Sequence, residues 1–374
     1  MFGLILIFAV TVMQGYLFWR AASVPFVRRR ISRKLLIGIG IALWAIFLLG
    51  RLVGSGNTGS PEETLELLSM TWLGMLFLMS LTMFAADAAT GFGLVLKRVG
   101  PAVRGVSLAA GGVLCLIALV QGLRAPAVQV HDVYLAGLPQ RLEGTVIVAL
   151  SDLHLGPVLG ERWLAARVEQ VRLERPDIVV LLGDVFEGHS APDRELIATL
   201  RRLSAPQGVW AVLGNHEFHG NHTDISMLFE EAGVHLLRDA WHELRPGLVL
   251  AGMDTLTASH DSAEVGVSLA KALAGRTSSA TILLSHAPLP ESVAAGKGVG
   301  LVLSGHTHGG QIWPFDYLVR RRFPLLEGRQ EHEGTTFIVS RGTGIWGPPM
   351  RLWQPGEILR ITLHAREGIP ASSR

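Results

Sequence analysis

Two patterns of apolar residues divide the chain at about residue 124. Before that point, long apolar runs cover about residues 2–19, 35–50, 67–86 and 106–123. A helix needs about 20 residues to cross a bilayer, so the runs predict a transmembrane region of about four helices over residues 1–124. The first run has no basic residues ahead of it, which favours a retained span over a cleaved signal peptide.

Beyond residue 124 the apolar runs are short, and they alternate with segments in which apolar residues recur at helical spacing. Runs such as Thr145–Leu150, Ile178–Leu182 and Val209–Leu213 are typical of buried strands. Strands that alternate with helices and later follow one another predict a layered α/β domain. We place this domain over residues 125–374.

The composition agrees with a membrane part followed by a globular part. The chain has 374 residues, 49% of them hydrophobic, and its mean hydropathy is +0.38. All 14 histidines follow residue 130. A net charge of +2 gives no reason to expect a nucleic-acid partner. The single cysteine, Cys115, lies in an apolar run, so any metal in the globular part must be held by His, Asp, Asn or Glu.

Basic residues in the loops between the apolar runs predict the orientation. Loop one contains Arg20, Arg28, Arg29, Arg30, Arg33 and Lys34, and loop three contains Lys97, Arg98 and Arg104. Loop two contains Arg51 together with Glu62, Glu63 and Glu66. By the positive-inside rule, loops one and three are cytoplasmic. We therefore expect the globular domain on the extracytoplasmic face of a cytoplasmic membrane.

Asp87 lies at the end of the third apolar run, where we expect it to reach the lipid headgroups. The runs show no paired charges of the kind that a transporter needs. We therefore predict that the membrane region serves as an anchor.

Five turns rich in metal-ligand side chains follow apolar runs of the globular part in a fixed order. The first, Asp152-Leu153-His154, comes directly after the run Val146–Leu150. The other four are Gly183-Asp184, Gly214-Asn215-His216-Glu217, Ser285-His286 and Gly305-His306-Thr307-His308. One Asp-x-His pair is weak evidence. Open α/β sheets, however, carry their chemistry at the carboxyl ends of strands, so five such turns point to one shared site.

The candidate ligands suggest two metal ions. They are Asp152, His154, Asp184, Asn215, His286, His306 and His308. Seven groups exceed the needs of one tetrahedral ion, and a carboxylate can bridge two ions with its two oxygens. Imidazole together with carboxylate suits Mn, Fe, Zn or Ni better than Ca or Mg. Paired ions can clamp the attacking and leaving oxygens of a phosphoryl displacement, which points to hydrolysis of a phosphate ester.

The order of these turns resembles that of the calcineurin-like metallophosphoesterases over roughly residues 144–363. The stretch 305–312, Gly-His-Thr-His-Gly-Gly-Gln-Ile, is followed by Ser340-Arg341-Gly342. This combination is similar to the bacterial membrane-associated branch of YkuE- and YaeI-like proteins. The resemblance implies two packed mixed β-sheets flanked by helices, here preceded by the four-helix transmembrane region.

The same resemblance implies a role for each residue. Asp152, His154 and His308 would bind the first metal ion, and Asn215, His286 and His306 would bind the second. Asp184 would bridge the two ions. His216 would be catalytic, because it would contact the phosphate and stabilise its charge or protonate the leaving group.

Some side chains keep two interpretations. Many family members have an Asp three residues after the bridging one, where it can orient the catalytic His, but this chain has Glu187 there. Arg341 could contact substrate phosphate or form a structural ion pair. Three further histidines could approach the site or lie in solvated loops: His189, His219 and His222.

The segment 313–326 combines aromatic and aliphatic residues with the basic run Arg320–Arg322. It could be a folded loop with solvated arginines. It could also lie against the membrane surface, with apolar side chains inserted and arginines on anionic lipid. Membrane lipids would then be partners of the protein.

The sequence therefore predicts a multi-pass membrane protein that hydrolyses a phosphomonoester or phosphodiester. Membrane tethering favours a lipid-linked or envelope substrate. Relatives of this branch include hydrolases of UDP-diacylglucosamine, so a pyrophosphate bond is an alternative, and it would place the domain on the cytoplasmic face. A membrane sensor or scaffold with a weakly active phosphoesterase domain is the alternative from another class.

Overall fold

The computed structural model describes residues 2–53, 61–156, 158–187, 194–219, 225–254 and 262–366. The chain divides into two compact units. The first unit comprises Met1–Arg124 and Gly347–Trp353, and the second comprises Ala125–Trp346 and Gln354–Arg374.

The first unit is built on helices. In chain order they are α1 (Phe2–Ala21), α2 (Pro25–Arg30), α3 (Arg33–Val53), α4 (Pro61–Ala89) and α5 (Gly100–Gly122). All of these except α2 are long and apolar enough to cross a membrane, which confirms the four predicted apolar helices. The helices exceed the apolar runs because they continue into polar flanks, as α4 does through Glu62 and Glu63.

The backbones of α4 and α5 lie close to each other at Gly111. A Cβ added to Gly111 of α5 would lie 2.7 Å from the Thr82 hydroxyl and 3.2 Å from the Cα atom of Met79, both on α4. Small residues at such contacts are typical of helices packed in a membrane. Cys115, one turn further along α5, is buried.

Asp87 is buried at the end of α4, so the expectation that it reaches the headgroups is wrong. Its carboxylate forms ion pairs with Arg20 of α1, at 2.6 Å, and with Arg104 of α5, at 2.7 Å. The hydroxyl of Tyr16 donates to the same carboxylate at 2.8 Å. A carboxylate is costly to bury unless it is paired. The two arginines supply that pairing, so this helix end does contain the paired charges that the sequence analysis did not find.

The second unit contains strands and shorter helices. Its strands are β1 (Ala127–Leu135), β2 (Thr145–Leu150), β3 (Ile178–Leu181), β4 (Val209–Ala211), β5 (His235–Leu236), β6 (Ala240–Arg245), β7 (Leu248–Met253), β8 (Ala280–Ser285), β9 (Leu301–Ser304), β10 (Gly328–His332), β11 (Thr335–Val339) and β12 (Glu357–Ala365). Its helices are α6 (Glu161–Leu173), α7 (Arg194–Leu200), α8 (Asn215–His219), α9 (Ile225–Glu231), α10 (Ser262–Ala272), α11 (Glu291–Ala294) and α12 (Phe315–Arg320).

The strands form two mixed six-stranded sheets, which confirms the predicted fold class. The first sheet has the order β1-β12-β2-β3-β4-β5, in which β2 to β5 run parallel and β12 runs antiparallel to β2. The second has the order β10-β11-β9-β8-β7-β6. There β11, β9, β8 and β7 run parallel, and the edge strands β10 and β6 run antiparallel to their neighbours.

The two sheets pack face to face around a shared core. Alternate residues point inward, so Ile147 and Val180 of the first sheet join Ile282 and Leu303 of the second in one buried cluster. The helices α6, α7 and α9 cover the outer face of the first sheet, and α10 and α11 cover that of the second. This packing brings together the turns that follow β2, β3, β4, β8 and β9.

Candidate metal centre

The predicted ligands converge at the carboxyl ends of these five strands. Asp152 and His154 follow β2, Asp184 follows β3, Asn215 follows β4, His286 follows β8, and His306 and His308 follow β9. Six of these seven, all except Asn215, form three overlapping groups together with the predicted catalytic residue His216, and the ligand atoms within each group lie within 4.8 Å of one another. The groups are Asp152, His154 and His308; His154, Asp184 and His216; and Asp184, His286 and His306.

The first predicted ligand set is compact. The Nε2 atom of His308 lies 3.1 Å from Nε2 of His154 and 3.5 Å from Oδ1 of Asp152. Asp152 is fully buried, and its carboxylate also accepts the main-chain N–H of His306 at 3.0 Å. The site thereby links the turns after β2 and β9.

The second set surrounds one ring nitrogen of His286. Its Nδ1 lies 2.8 Å from the carbonyl of Leu182, a contact that only a ring N–H can make. Its Nε2 lies 3.2 Å from Oδ1 of Asn215, 3.2 Å from Nδ1 of His306 and 3.3 Å from Oδ2 of Asp184. Lone pairs at such distances repel one another unless a proton or a metal cation lies among them.

These spacings fit metal coordination. Ligand atoms about 2.0–2.2 Å from a shared ion lie roughly 3–3.5 Å from one another, as the contacts around His286 and His308 do. The donors are carboxylate and amide oxygens with imidazole nitrogens, a set that suits divalent transition metals. The residues present can therefore hold two ions.

Asp184 lies between the two sets. Its Oδ2 is 3.3 Å from Nε2 of His286 and 3.8 Å from Nε2 of His154. Its Oδ1 accepts the main-chain N–H of His216 at 2.8 Å. This is the position that a ligand bridging two ions needs. The bridging role of Asp184 itself stays a prediction.

Buried carboxylates make the site attract positive charge. Burial lowers the pKa of His286, but Asp184 and Asp152 outweigh burial and raise that pKa to about 10. Burial also lowers the pKa of His154. The hydrogen bond with Glu187 and the nearby carboxylates outweigh burial and raise that pKa to about 9. Burial raises the pKa of Asp184, yet His286 and His154 hold it well below its usual range. Divalent cations can supply the charge that these groups favour.

Five of the seven predicted ligands have left-handed backbone conformations. Their φ angles are 53° at Asp152, 46° at His154, 49° at Asp184, 70° at His306 and 49° at His308. Such conformations are uncommon for residues other than glycine, and they cluster at functional sites. The strand ends therefore turn sharply to direct these side chains into one place.

Gly214 permits a close approach of the turns after β3 and β4. A Cβ added there would collide with the carboxylate of Asp184. Gly305, which precedes His306, has the same relation to the side chain of Ser151 and the carboxylate of Asp152, at 2.5 Å from the latter. Any larger residue at either position would displace a predicted ligand.

Glu217 fastens the turns after β3 and β4 to each other. It is buried, and its carboxylate accepts four main-chain N–H groups at 2.6–3.0 Å. The donors are Asp184, Val185, Phe186 and Gly214. The sequence analysis quoted Glu217 within the Gly-Asn-His-Glu turn but assigned it no role, because its contacts become visible only when the two turns are side by side.

Glu187 contacts a predicted ligand more closely than it contacts the predicted catalytic residue. Its Oε2 lies 2.7 Å from Nδ1 of His154, whereas its Oε1 lies 3.6 Å from Nδ1 of His216. A carboxylate on the second ring nitrogen of a metal-binding His fixes the ring and its tautomer. Glu187 is therefore placed mainly to orient His154.

His216 lies at the partly open side of the site. Its side chain is 14% exposed, and its ring packs edge-on against that of His154, with 4.7 Å between centroids. Burial lowers the pKa of His216, which favours the neutral imidazole. A further aromatic residue, Trp346, has its ring centroid 6.1 Å from that of His216.

Gln311 holds Trp346 in this position. Its side-chain amide donates to the Trp346 carbonyl at 2.8 Å and accepts the Trp346 N–H at 3.1 Å. The ring of Trp346 remains half exposed. The Gly-Gly-Gln segment was part of the sequence motif, but nothing in it pointed to a residue so far along the chain.

Comparisons with known proteins agree with this geometry. A model of the calcineurin-like phosphoesterase family matches residues 145–310. An uncharacterized metallophosphoesterase of Campylobacter jejuni is 34% identical over 254 residues, which is 66% of this chain and 65% of the relative. A transmembrane protein with metallophosphoesterase domain from Danio rerio is 30% identical over 328 residues, 80% of this chain and 74% of the relative. The chain belongs to the calcineurin-like phosphoesterase family.

Membership confirms the family that the sequence motifs resemble. The chain spans between 60% and 65% of the length of several curated relatives that it matches. Among solved structures, a dimetal phosphatase from Danio rerio is 15% identical, with a TM-score of 0.34, and covers 54% of this chain and 88% of its own.

The remaining candidate residues of this family member have different outcomes. Arg341 forms an ion pair with Glu357, through contacts that include Nε–Oε2 at 2.8 Å, and its Nε lies 3.6 Å from Glu327. This favours the structural interpretation of Arg341. His189 and His222 lie outside the described residues, as does the side chain of His219.

Proposed function

We propose that the protein is a membrane-anchored phosphoesterase that uses two divalent metal ions to hydrolyse a phosphomonoester or phosphodiester. The observation that carries the proposal is the position of Asp184, whose Oδ2 faces ring nitrogens of both His154 and His286. When bound, two ions would polarise the phosphate and activate a water molecule for attack. The donor set favours Mn, Fe, Zn or Ni.

The chain's own residues divide the remaining work. Asp152, His154 and His308 would hold one ion, Asn215, His286 and His306 the other, and Asp184 both. His216 would contact the phosphate, since its ring lies beside His154 at the partly open side of the site. Its ring nitrogen would stabilise developing charge or protonate the leaving group.

The test uses the full-length protein, purified in detergent and supplied with Mn²⁺ or Zn²⁺ in turn. Hydrolysis of bis-p-nitrophenyl phosphate and p-nitrophenyl phosphate is measured for the native protein, Asp184→Asn and His216→Ala. We expect metal-dependent turnover that both substitutions abolish. A folded protein that binds no metal would overturn the proposal, and two bound metals with no turnover of either ester would favour the sensor or scaffold alternative.

We also propose that the phosphoesterase domain faces the extracytoplasmic side. The loops after α1 and α4 contain the basic residues that mark cytoplasmic loops. Because Cys115 is buried, a cysteine introduced at the exposed Arg172 would be the accessible thiol in the described part of the chain. An impermeant maleimide should label Arg172→Cys in intact cells. Labelling only after permeabilisation would place the domain in the cytoplasm and favour a nucleotide-linked pyrophosphate substrate.

A lipid-linked substrate is the class that we favour. On α12 and just after it, Phe315, Tyr317 and Leu318 are exposed by 41%, 62% and 58%, and Arg320–Arg322 are exposed beside them. Apolar and basic groups in one place suit contact with an anionic membrane surface. Changing all three arginines to Ser should reduce hydrolysis of a vesicle-bound substrate while sparing a soluble ester. An equal effect on both substrates would contradict this membrane contact.

A further inference from the structure

The outer face of the second sheet carries a cavity of about 500 Å³. Its apolar walls come from Val265 of α10, Leu289, Val302 of β9, Leu325 and Phe337 of β11. The volume lies within the range of roughly 300–1,000 Å³ that is usual for small-molecule sites. None of these five residues has a part in the metal centre, so the proposed reaction leaves the cavity without a role.

The cavity lies directly beside the second ligand set. Ala287, which lines it, is the residue after His286. Ser304, another lining residue, ends β9 two positions before His306. The ring of Phe323 lines the cavity and packs edge-on against the imidazole of His306, with 5.4 Å between centroids. The cavity therefore borders the residues that carry the second ligand set, with the ring of Phe323 in contact with both.

The charged groups of the lining are placed at exposed or partly exposed positions. Arg322 is exposed, and its guanidinium lies 5.6 Å from the centroid of the Phe323 ring. Glu291 and His332 form an ion pair at 3.3 Å, with side chains 30% and 40% exposed. An aliphatic tail suits this arrangement, because it would meet the apolar walls while the charged groups stay towards the surface.

We propose that this cavity binds one fatty acyl chain of a lipid substrate whose phosphate lies at the metal centre. The inference rests on the proposed phosphoesterase function, and it identifies the acyl group as the part of the substrate that the protein recognises. Two observations favour a lipid tail. The protein has four helices suited to a membrane, and the cavity wall at Arg322 continues from α12, which exposes Tyr317 and Leu318.

The test compares p-nitrophenyl phosphodiesters that carry a methyl, an octyl or a hexadecyl group as the second ester. All three share the leaving group and the metal chemistry, so they differ only in the tail. Full-length protein in detergent, supplied with Mn²⁺, is used throughout. We expect KM to fall as the tail lengthens, by up to roughly fourfold for each methylene that the cavity buries, while kcat changes little.

A filled cavity should remove this preference. Val265→Trp would place an indole in the cavity, and Val267→Trp is the matched control, since Val267 is on the same helix and 55% exposed. We expect Val265→Trp to raise KM for the hexadecyl ester at least tenfold and to leave the methyl ester unchanged, and the control to change neither. If Val265→Trp does not fold, Ser292→Trp on the exposed rim replaces it.

The outcomes separate the two proposals. If the methyl ester is hydrolysed and both cavity variants keep the native dependence on tail length, the acyl site is overturned and the phosphoesterase proposal stands. If the native protein, with metal bound, hydrolyses neither the three diesters nor p-nitrophenyl phosphate, the proposed function fails, and the acyl site fails with it.

Discussion

Each of the two units buries carboxylates, and the two sets differ in what neutralises them. In the first unit Asp87 is paired with two arginines of neighbouring helices. In the second unit Asp152 and Asp184 are equally buried, but the ion pairs described for them involve only histidines. The first carboxylate has permanently charged partners, whereas the partners of the other two carry charge only when they are protonated.

This difference separates a structural charge from a functional one. A carboxylate that two guanidinium groups hold is satisfied when the chain folds. The carboxylates of the second unit instead face imidazole rings, as around Nε2 of His286, and these rings can bind either protons or metal cations. Burial and charge alone would not distinguish the two sites, whereas the identity of the partners does.

The largest expected effect comes from Asp184→Asn. The substitution keeps the shape of the side chain but removes the charge that faces both ligand sets, so we expect kcat/KM to fall by roughly 10³-fold or more. Bound metal, measured by mass spectrometry of the purified protein, should fall as well. Asp132→Asn on β1, an exposed carboxylate, is the control. If the Asp184→Asn protein binds two metal ions and keeps the native kcat/KM, Asp184 is not functional, and the contrast with the structural carboxylate of Asp87 is lost.

Asp87→Asn should act on stability and spare the metal centre. It leaves Arg20 and Arg104 buried without their counter-charge, and breaking one side of a buried pair costs roughly 3–5 kcal/mol. Thermal unfolding in detergent, followed by tryptophan fluorescence, should show the loss. The metal content and kcat of the folded protein should stay native, and a lowered metal content would contradict a purely structural role.

Glu217→Gln should weaken the link between the turns after β3 and β4. The amide offers one acceptor oxygen where the carboxylate offers two, and it turns an NH₂ group towards main-chain N–H donors, at a cost of roughly 1–3 kcal/mol. The melting temperature should fall, with a smaller loss of activity. Glu230→Gln on α9, which is exposed, is the matched control and should change neither.

Glu187→Gln addresses the departure from the family pattern. If Glu187 mainly orients His154, affinity for Mn²⁺ should fall by roughly 10- to 100-fold, measurable by calorimetric titration of metal-free protein. At saturating metal, kcat should recover. Native affinity with a lowered kcat would instead show that Glu187 acts on His216.

Patterns of local sequence were sufficient to predict much of this molecule. The apolar runs predicted the four long helices because a bilayer crossing requires length and apolarity in one continuous segment. The turns after β2, β3, β4, β8 and β9 were recognisable because a ligand-type residue follows each buried strand within four positions, as Asp152 follows Leu150 of β2.

Features that depend on contacts between distant residues were not predictable in the same way. Tyr16 and Asp87 are 71 positions apart, so no local pattern indicated that the carboxylate would be paired. The edge strands β6 and β10 escaped notice because exposed, polar positions give them no clear apolar alternation. The acyl cavity combines α10, β9 and β11, which meet only after both sheets have formed.

The position of β12 has a consequence for the order of events during synthesis. β12 lies between β1 and β2 in the first sheet, so β1 pairs with a strand that the ribosome makes after all the others described here. The helices of the first unit leave the ribosome early, whereas the first sheet cannot be completed until β12 has emerged. In the nascent phosphoesterase domain, the edges that β1 and β2 present to β12 must therefore remain unpaired until β12 has been translated. A truncation that removes β12 would leave the membrane helices intact and the first sheet incomplete.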